Sequence, residues 1–308
     1  MLRVELHSSI LEEALGSRLL DGKREPCELS VSDFDDCQFK LVVLPQQENI
    51  LTLHVHVPCY DLLSANGAAD VIDDVYAGMK TTPETGYQVA FSVNANEVSN
   101  PDETLARLIH VKRNLVGAPL MKAFNALKSG TAKSFEPLEI PWRQTESIFV
   151  QSGPDPANPL NYDRITVIFS IDFPEESDRA YCRIFLQQFQ ECQRKVNNAP
   201  PVVFSEHNNA PMEIRDKVAA SSGIVGFVSL TIFASHVKTP EKLAKTVDLI
   251  VSFRNYLHFH IKAAKTNLHM RMRRKVDTWK QILNRAIQTS SGPKEMKTVT
   301  GKTFTRKT

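Results

Sequence analysis

A chain of 308 residues, 42% hydrophobic and 23% charged, has the make-up of a globular protein with a sizeable core, not of a disordered or fibrous one. Its net charge of +2 hides an asymmetry. From Arg254 onward fourteen Lys and Arg face two acids, Asp277 and Glu295, a net of +12 that leaves −10 for residues 1–253. No apolar run marks a signal peptide or a membrane span, and five cysteines without a C-x-x-C pair read as free thiols, so the expected compartment is the cytosol.

Leu2–Leu6 reads as a short strand, followed by a serine-capped helix from about Ser9 to Leu20. Three strands follow, near 27–34, 37–44 and 49–57. In the third, Leu51, Leu53, Val55 and Val57 share one face, and Thr52, His54 and His56 the other, as in a half-exposed antiparallel strand. Residues 68–79 have helical spacing, and Tyr87, Val89, Phe91 and Val93 alternate in a fourth strand. Pro101 opens a helical stretch with an expected break near Gly117-Ala-Pro119. Ser129 to Pro141 has no clean period and reads as a linker. A second unit then offers strands near 146–152 and 163–171 around a proline-rich loop, Gly153–Leu160. An amphipathic helix through Tyr181 and Cys192 comes next, then strands near 201–205 and 223–234.

The last fifth is different. Thr239-Pro240-Glu241 combines a hydroxyl cap, a first-turn proline and an early carboxylate, and no Pro or Gly interrupts the chain from there to about Gln288. Apolar residues fall at Leu243, Val247, Ile250, Leu257, Ile261, Ala264 and Leu268, with Arg254 in the one missing place. The seam continues through Met272, Val276, Trp279, Leu283 and Ala286. Such a helix would be about 75 Å long, more than a small domain is wide, so its distal half must meet a second domain or another chain.

The fold class expected is α+β: two similar α/β domains with mainly antiparallel sheets, the second ending in one very long helix. The boundaries are 1–130, a linker at 131–145, 146–288 with the helix at about 239–288, and a basic tail at 289–308.

No catalytic constellation emerges: there is no G-x-G-x-x-G after a strand, no P-loop, no G-x-S-x-G and no H-E-x-x-H, so no enzyme activity, cofactor or metal is expected. His54 and His56 read as surface residues, and Asp33, Asp35 and Asp36 as a solvated hairpin turn, since the glycine and distal glutamate of a calcium loop are missing. His258 and His260 lie on different sides of a helix and read as partly buried flanks of the seam. The basic end needs a polyanion. Nucleic acid, an anionic membrane and an acidic protein lattice each fit the charge. Nucleic acid lacks support from interleaved aromatics or a reading-head motif, and a membrane from a wide apolar face.

Several stretches resemble one family. Phe253-Arg-Asn-Tyr-Leu-His-Phe-His-Ile-Lys262, Met270-Arg-Met-Arg273, Leu283-Asn-Arg-Ala286 and Lys294-Glu-Met-Lys-Thr-Val-Thr-Gly-Lys-Thr-Phe304 are similar to the carboxy-terminal region of subunit 2 of the actin-related protein 2/3 complex, the seven-subunit nucleator of branched actin filaments. Ser32-Asp-Phe-Asp-Asp36, Val111-Lys-Arg-Asn114 and Asp163-Arg-Ile-Thr-Val-Ile-Phe-Ser170 fit the same family. The resemblance implies a non-enzymatic subunit in the cytoplasm, on the actin cytoskeleton and in cell projections. Its long helix would pack antiparallel on the long helix of subunit 4 through Leu243, Val247, Ile250, Leu257, Ile261, Leu268, Met272 and Trp279. Actin-like and other subunits would be further partners. The side of the mother filament would be met by Arg271, Arg273, Arg274, Lys275, Lys280, Arg285, Lys294, Lys297, Lys302 and Phe304. Neither nucleic acid nor membrane insertion belongs to this picture; the contrasting class is a free-standing basic module that binds nucleic acid.

Overall fold

The computed structural model describes residues 6–155, 158–193, 195–218, 224–290, 296–297, 301 and 303–304. All but one residue of the strand expected at Leu2–Leu6 therefore lies outside the described residues.

The first sheet grows from a meander. Helix α1 (Ser9–Leu19) is capped by Ser8, whose hydroxyl accepts from the Leu11 N–H, and strands β1 (Cys27–Ser32), β2 (Gln38–Val43) and β3 (Ile50–His56) follow. Two short helices, α2 (Tyr60–Leu63) and α3 (Ala69–Val75), are joined by a kinked turn at Ser64–Ala68, where Asn66 and Gly67 leave helical geometry. Strands β4 (Lys80–Thr81) and β5 (Val89–Asn94) complete an antiparallel sheet of order β1-β2-β3-β5-β4. Helices α4 (Pro101–Ile109) and α5 (Val111–Lys128) close it.

The second sheet repeats this plan. Strands β6 (Leu138–Pro141), β7 (Ser147–Asp155) and β8 (Asn158–Ile171) form the meander, and helix α6 (Glu176–Gln193) follows. Strands β9 (Val202–Glu206) and β10 (Gly226–Phe233) give the order β6-β7-β8-β10-β9, again antiparallel throughout. The short α7 (Ala234–Val237) and the 51-residue α8 (Pro240–Ser290) close it. The two sheets have the same connectivity: three-strand meander, helical segment, edge strand, inner strand, closing helices. The α+β class and the pair of similar layers are thus as expected.

Three local expectations change. The helix breaks at His110 and not at Gly117-Ala-Pro119; Pro119 lies inside α5. One lost i→i−4 bond is tolerable because α5 is buried over most of its length. Gly117 is there for contact, since a Cβ on it would lie 2.8 Å from Val247 Cγ1 of α8. The stretch read as a linker holds a 3₁₀ turn (Ala132–Ser134) and β6, whose hydrogen bonds to β7 override its weak pattern. Finally, most of the loop read at Gly153–Leu160 belongs to a long β7–β8 hairpin, with register shifts at Gly153, Pro154 and Asp155.

Residues 6–261 share one main core. It runs from Leu41 and Phe91 in the first sheet through Val116 of α5 and Ile250 of α8 to Val150 and Val167 in the second. Phe253 of α8 packs on Phe169 of β8 with ring centres 5.0 Å apart and on Phe189 of α6 at 6.0 Å. A satellite cluster of Phe149, Ile168, Ile214, Ile224 and Phe227 covers the other face of the second sheet.

The compact unit from Lys262 onward consists of the rest of α8 and a two-residue antiparallel ladder, β11 (Met296–Lys297) with β12 (Thr303–Phe304). The basic tail thus carries paired strands, and Gly301, which precedes β12, has a φ of 80° that suits a turn.

Candidate interaction surface on the closing helix

The site begins with how α8 is held. Arg254 occupies the place in the seam where an apolar residue was due, and it is 2% exposed. Its Nε donates to Asp35 Oδ1 at 3.0 Å and its Nη2 to Glu146 Oε2 at 2.6 Å; its guanidinium lies 5.6 Å from the centre of the Trp142 ring. Lys112 of α5 reaches Asp33 Oδ2 at 2.5 Å and Asp35 Oδ2 at 2.8 Å. Arg143 binds Glu146, Asp36 and the Phe34 carbonyl. The Trp142 Nε1–H donates to the Asp35 carbonyl at 2.9 Å, and the Asp172 N–H to Glu146 Oε1 at 3.0 Å.

Two equivalent turns meet here, β1–β2 of the first sheet and β6–β7 of the second, and each closing helix supplies one buried cation. Burial by itself would favour neutral forms, yet the opposed charges prevail: Asp35 stays below its usual carboxylate range and Lys112 is held charged above the usual lysine range. The expectation of a solvated hairpin turn at Asp33, Asp35 and Asp36 is therefore wrong for Asp35, which is 2% exposed and doubly paired. Its partners lie about 80 and 220 positions away in the sequence, beyond any local pattern. Arg254 in the seam was the one visible sign.

His258, one turn after Arg254, is buried against Phe173 with ring centres 4.7 Å apart. Burial, helped by Arg254 and Arg143, pushes its pKa down to about 4. His260 is partly buried in a ring cluster with Phe185 and Tyr256. His54 is not the surface residue expected: it is buried, stacks near Tyr87, and its Nδ1 accepts from the Glu84 N–H at 3.1 Å. His56 lies partly exposed beside Gln88.

Along α8 the seam divides. Leu243, Val247, Ile250, Leu257 and Ile261 are between 0% and 5% exposed and belong to this chain's own core. Their surface is already covered, so they join α8 to its own sheets and cannot also face a second chain; the expectation that they meet a partner helix is corrected accordingly. Leu268, Met272 and Trp279 are 41%, 57% and 64% exposed. Every residue from Thr266 to Arg285 is exposed. At about 100° per residue, Leu268, Met272, Val276, Trp279, Ile282 and Leu283 fall within about a third of the circumference, on the same stripe as the buried seam upstream.

The exposed cations Arg271, Arg273, Arg274, Lys275, Lys280 and Arg285 all lie on this stretch. Lys275 interrupts one margin of the stripe with Arg271 beside it, Lys280 flanks the other margin, and Arg273, Arg274 and Arg285 stand farther from it. Lys297 and Phe304 contribute backbone to the β11–β12 ladder. Lys294 and Lys302 lie outside the described residues.

Fold and surface together define a class, a two-layer α+β protein whose last helix leaves an apolar stripe uncovered among cations. Comparison with known proteins sharpens it. The family model described as "Arp2/3 complex, 34 kD subunit p34-Arc" matches residues 53–290, and the chain belongs to that family. It is 31% identical over 329 aligned positions to actin-related protein 2/3 complex subunit 2 of Schizosaccharomyces pombe, covering 99% of this chain and all of the relative. It is also 31% identical to the protein of that name from Dictyostelium discoideum, over 308 positions and 99% of each chain.

Proposed function

We propose that this chain is a structural, non-catalytic subunit of an actin-related protein 2/3 complex, working in the cytoplasm on the actin cytoskeleton and in cell projections. In this reading the two domains are residues 1–130 and 146–288, and the stretch 131–145 connects them while giving β6 to the second sheet. The exposed stripe of Leu268, Met272, Val276, Trp279, Ile282 and Leu283 lies against a long helix of subunit 4, and other subunits, actin-like ones among them, complete the assembly. Arg271, Arg273, Arg274, Lys275, Lys280 and Arg285, with the tail at Lys294, Lys297, Lys302 and Phe304, face the acidic side of the mother filament.

One observation carries the reading: twenty consecutive exposed residues of α8 hold six large apolar side chains on one face. A stripe of that kind calls for a covering partner. Arg273 and Arg274 stand away from it and can meet a second, acidic surface while the stripe is covered. The same stripe argues against a self-sufficient nucleic-acid module, which would bury it.

The test is co-expression with subunit 4. Leu268→Asp with Trp279→Asp should abolish co-elution, since an unpaired buried charge costs several kcal/mol. Arg273→Glu with Arg274→Glu should assemble normally but co-sediment less with actin filaments. Normal co-elution of the first variant would remove the stripe as the joint. A clean monomer that binds nucleic acid and no actin would favour the alternative.

A further inference from the structure

The first three turns of α8 border a cavity of about 370 Å³ with no carboxylate in its lining. Lys242 and Lys245 contribute ammonium groups, and neither has a carboxylate partner among the described residues. His236 contributes an N–H. The Phe233 N–H donates to its Nδ1 at 3.0 Å, so in the neutral ring the proton sits on Nε2. Burial, with Lys242 nearby, keeps that ring neutral by lowering its pKa. Ser235 and Asn198 add a hydroxyl and an amide, and Leu249, 40% exposed, offers an apolar flank.

Ordinary protein surface mixes signs. Here two free ammoniums, an imidazole N–H, a hydroxyl and an amide line one cavity with no acid to balance them. The demand is for an oxygen-rich anion with several acceptors. The volume lies within the usual range for small-molecule sites and exceeds what a bare phosphate would fill.

We propose that this cleft binds a phosphorylated small molecule of about the size of a sugar or cyclitol phosphate, with its phosphate on Lys242 and Lys245, Ser235 and His236 donating to its remaining oxygens, and its carbon ring beside Leu249. The same head-group chemistry exists in solution and on a lipid, and the experiment separates the two sources.

The full-length chain, with whatever subunits purify alongside it, is titrated with inositol hexakisphosphate by calorimetry. It is separately floated with phosphatidylcholine vesicles, with and without phosphatidylinositol phosphate. Saturable binding at one site per chain is expected, weakened about tenfold by Lys242→Gln with Lys245→Gln, and little changed by Arg273→Gln with Arg274→Gln. Flotation that needs the phosphorylated lipid and is lost in the lysine variant assigns a lipid source; binding of the soluble phosphate without flotation assigns a soluble one. A circular dichroism melt checks that each variant is folded. No saturable binding, or equal losses in both variants, would overturn the proposal, because the second result would mean diffuse attraction to the basic helix.

Discussion

The two halves of α8 carry the same apolar period and meet opposite fates. In the first, Leu243, Val247, Ile250, Leu257 and Ile261 are sealed into the core, and Arg254 between them is neutralised by Asp35 and Glu146. In the second, Leu268, Met272 and Trp279 continue the stripe and stay exposed, with no cover among the described residues. A seam therefore records that a helix face needs covering. It does not record whether the cover comes from the same chain.

The comparison breaks most sharply at the buried cation. Arg254→Ala leaves Asp35 and Glu146 underpaired in a dry site and should cost about 3–5 kcal/mol, read as a shift of the urea midpoint. A loss below about 1 kcal/mol would mean that the two hairpin turns hold together without it. A paired truncation tests the seam itself. Leu257→Ala should cost about 2–5 kcal/mol of chain stability through the cavity it leaves. Leu268→Ala should stay within about 0.5 kcal/mol in the isolated chain and show its effect only in partner affinity. Equal costs at both positions would erase the distinction between the halves.

A pH experiment probes the first half alone. With a folded-state pKa of about 4 against an ordinary 6.5, His258 binds fewer protons in the folded chain. Its contribution is complete above about pH 6.5 and is lost as the pH falls towards 4, amounting to roughly 3 kcal/mol. Asp35, also depressed, loses its contribution only below its ordinary 3.8, so the two windows separate. Stability curves of wild type and His258→Phe should converge as pH falls through that window; parallel curves would show that His258 does not titrate there. The smallest effects belong to the second half. Each of Arg273→Gln and Lys280→Gln should weaken filament co-sedimentation by at most about 1 kcal/mol, and added salt should weaken the wild type similarly. Salt-independent binding would point away from the cations.

Much of this molecule was legible locally. Serine before α1, Thr239-Pro240 before α8 and the alternation through Leu51, Leu53 and Val55 each name a cap or a face within a few residues, because hydrogen-bond spacing and side-chain direction repeat over short distances. The charge split and the long apolar period also belong to the sequence alone. Tertiary structure decided the rest. It turned the Asp33–Asp36 turn into half of a buried ion cluster and kept Pro119 inside a helix, since the core around α5 outweighs one missing hydrogen bond. It also closed β6 onto β7, covered His54, and divided one seam between a core and an open surface. These outcomes depend on which distant groups arrive beside a residue, and burial energies follow that neighbourhood and not the local pattern.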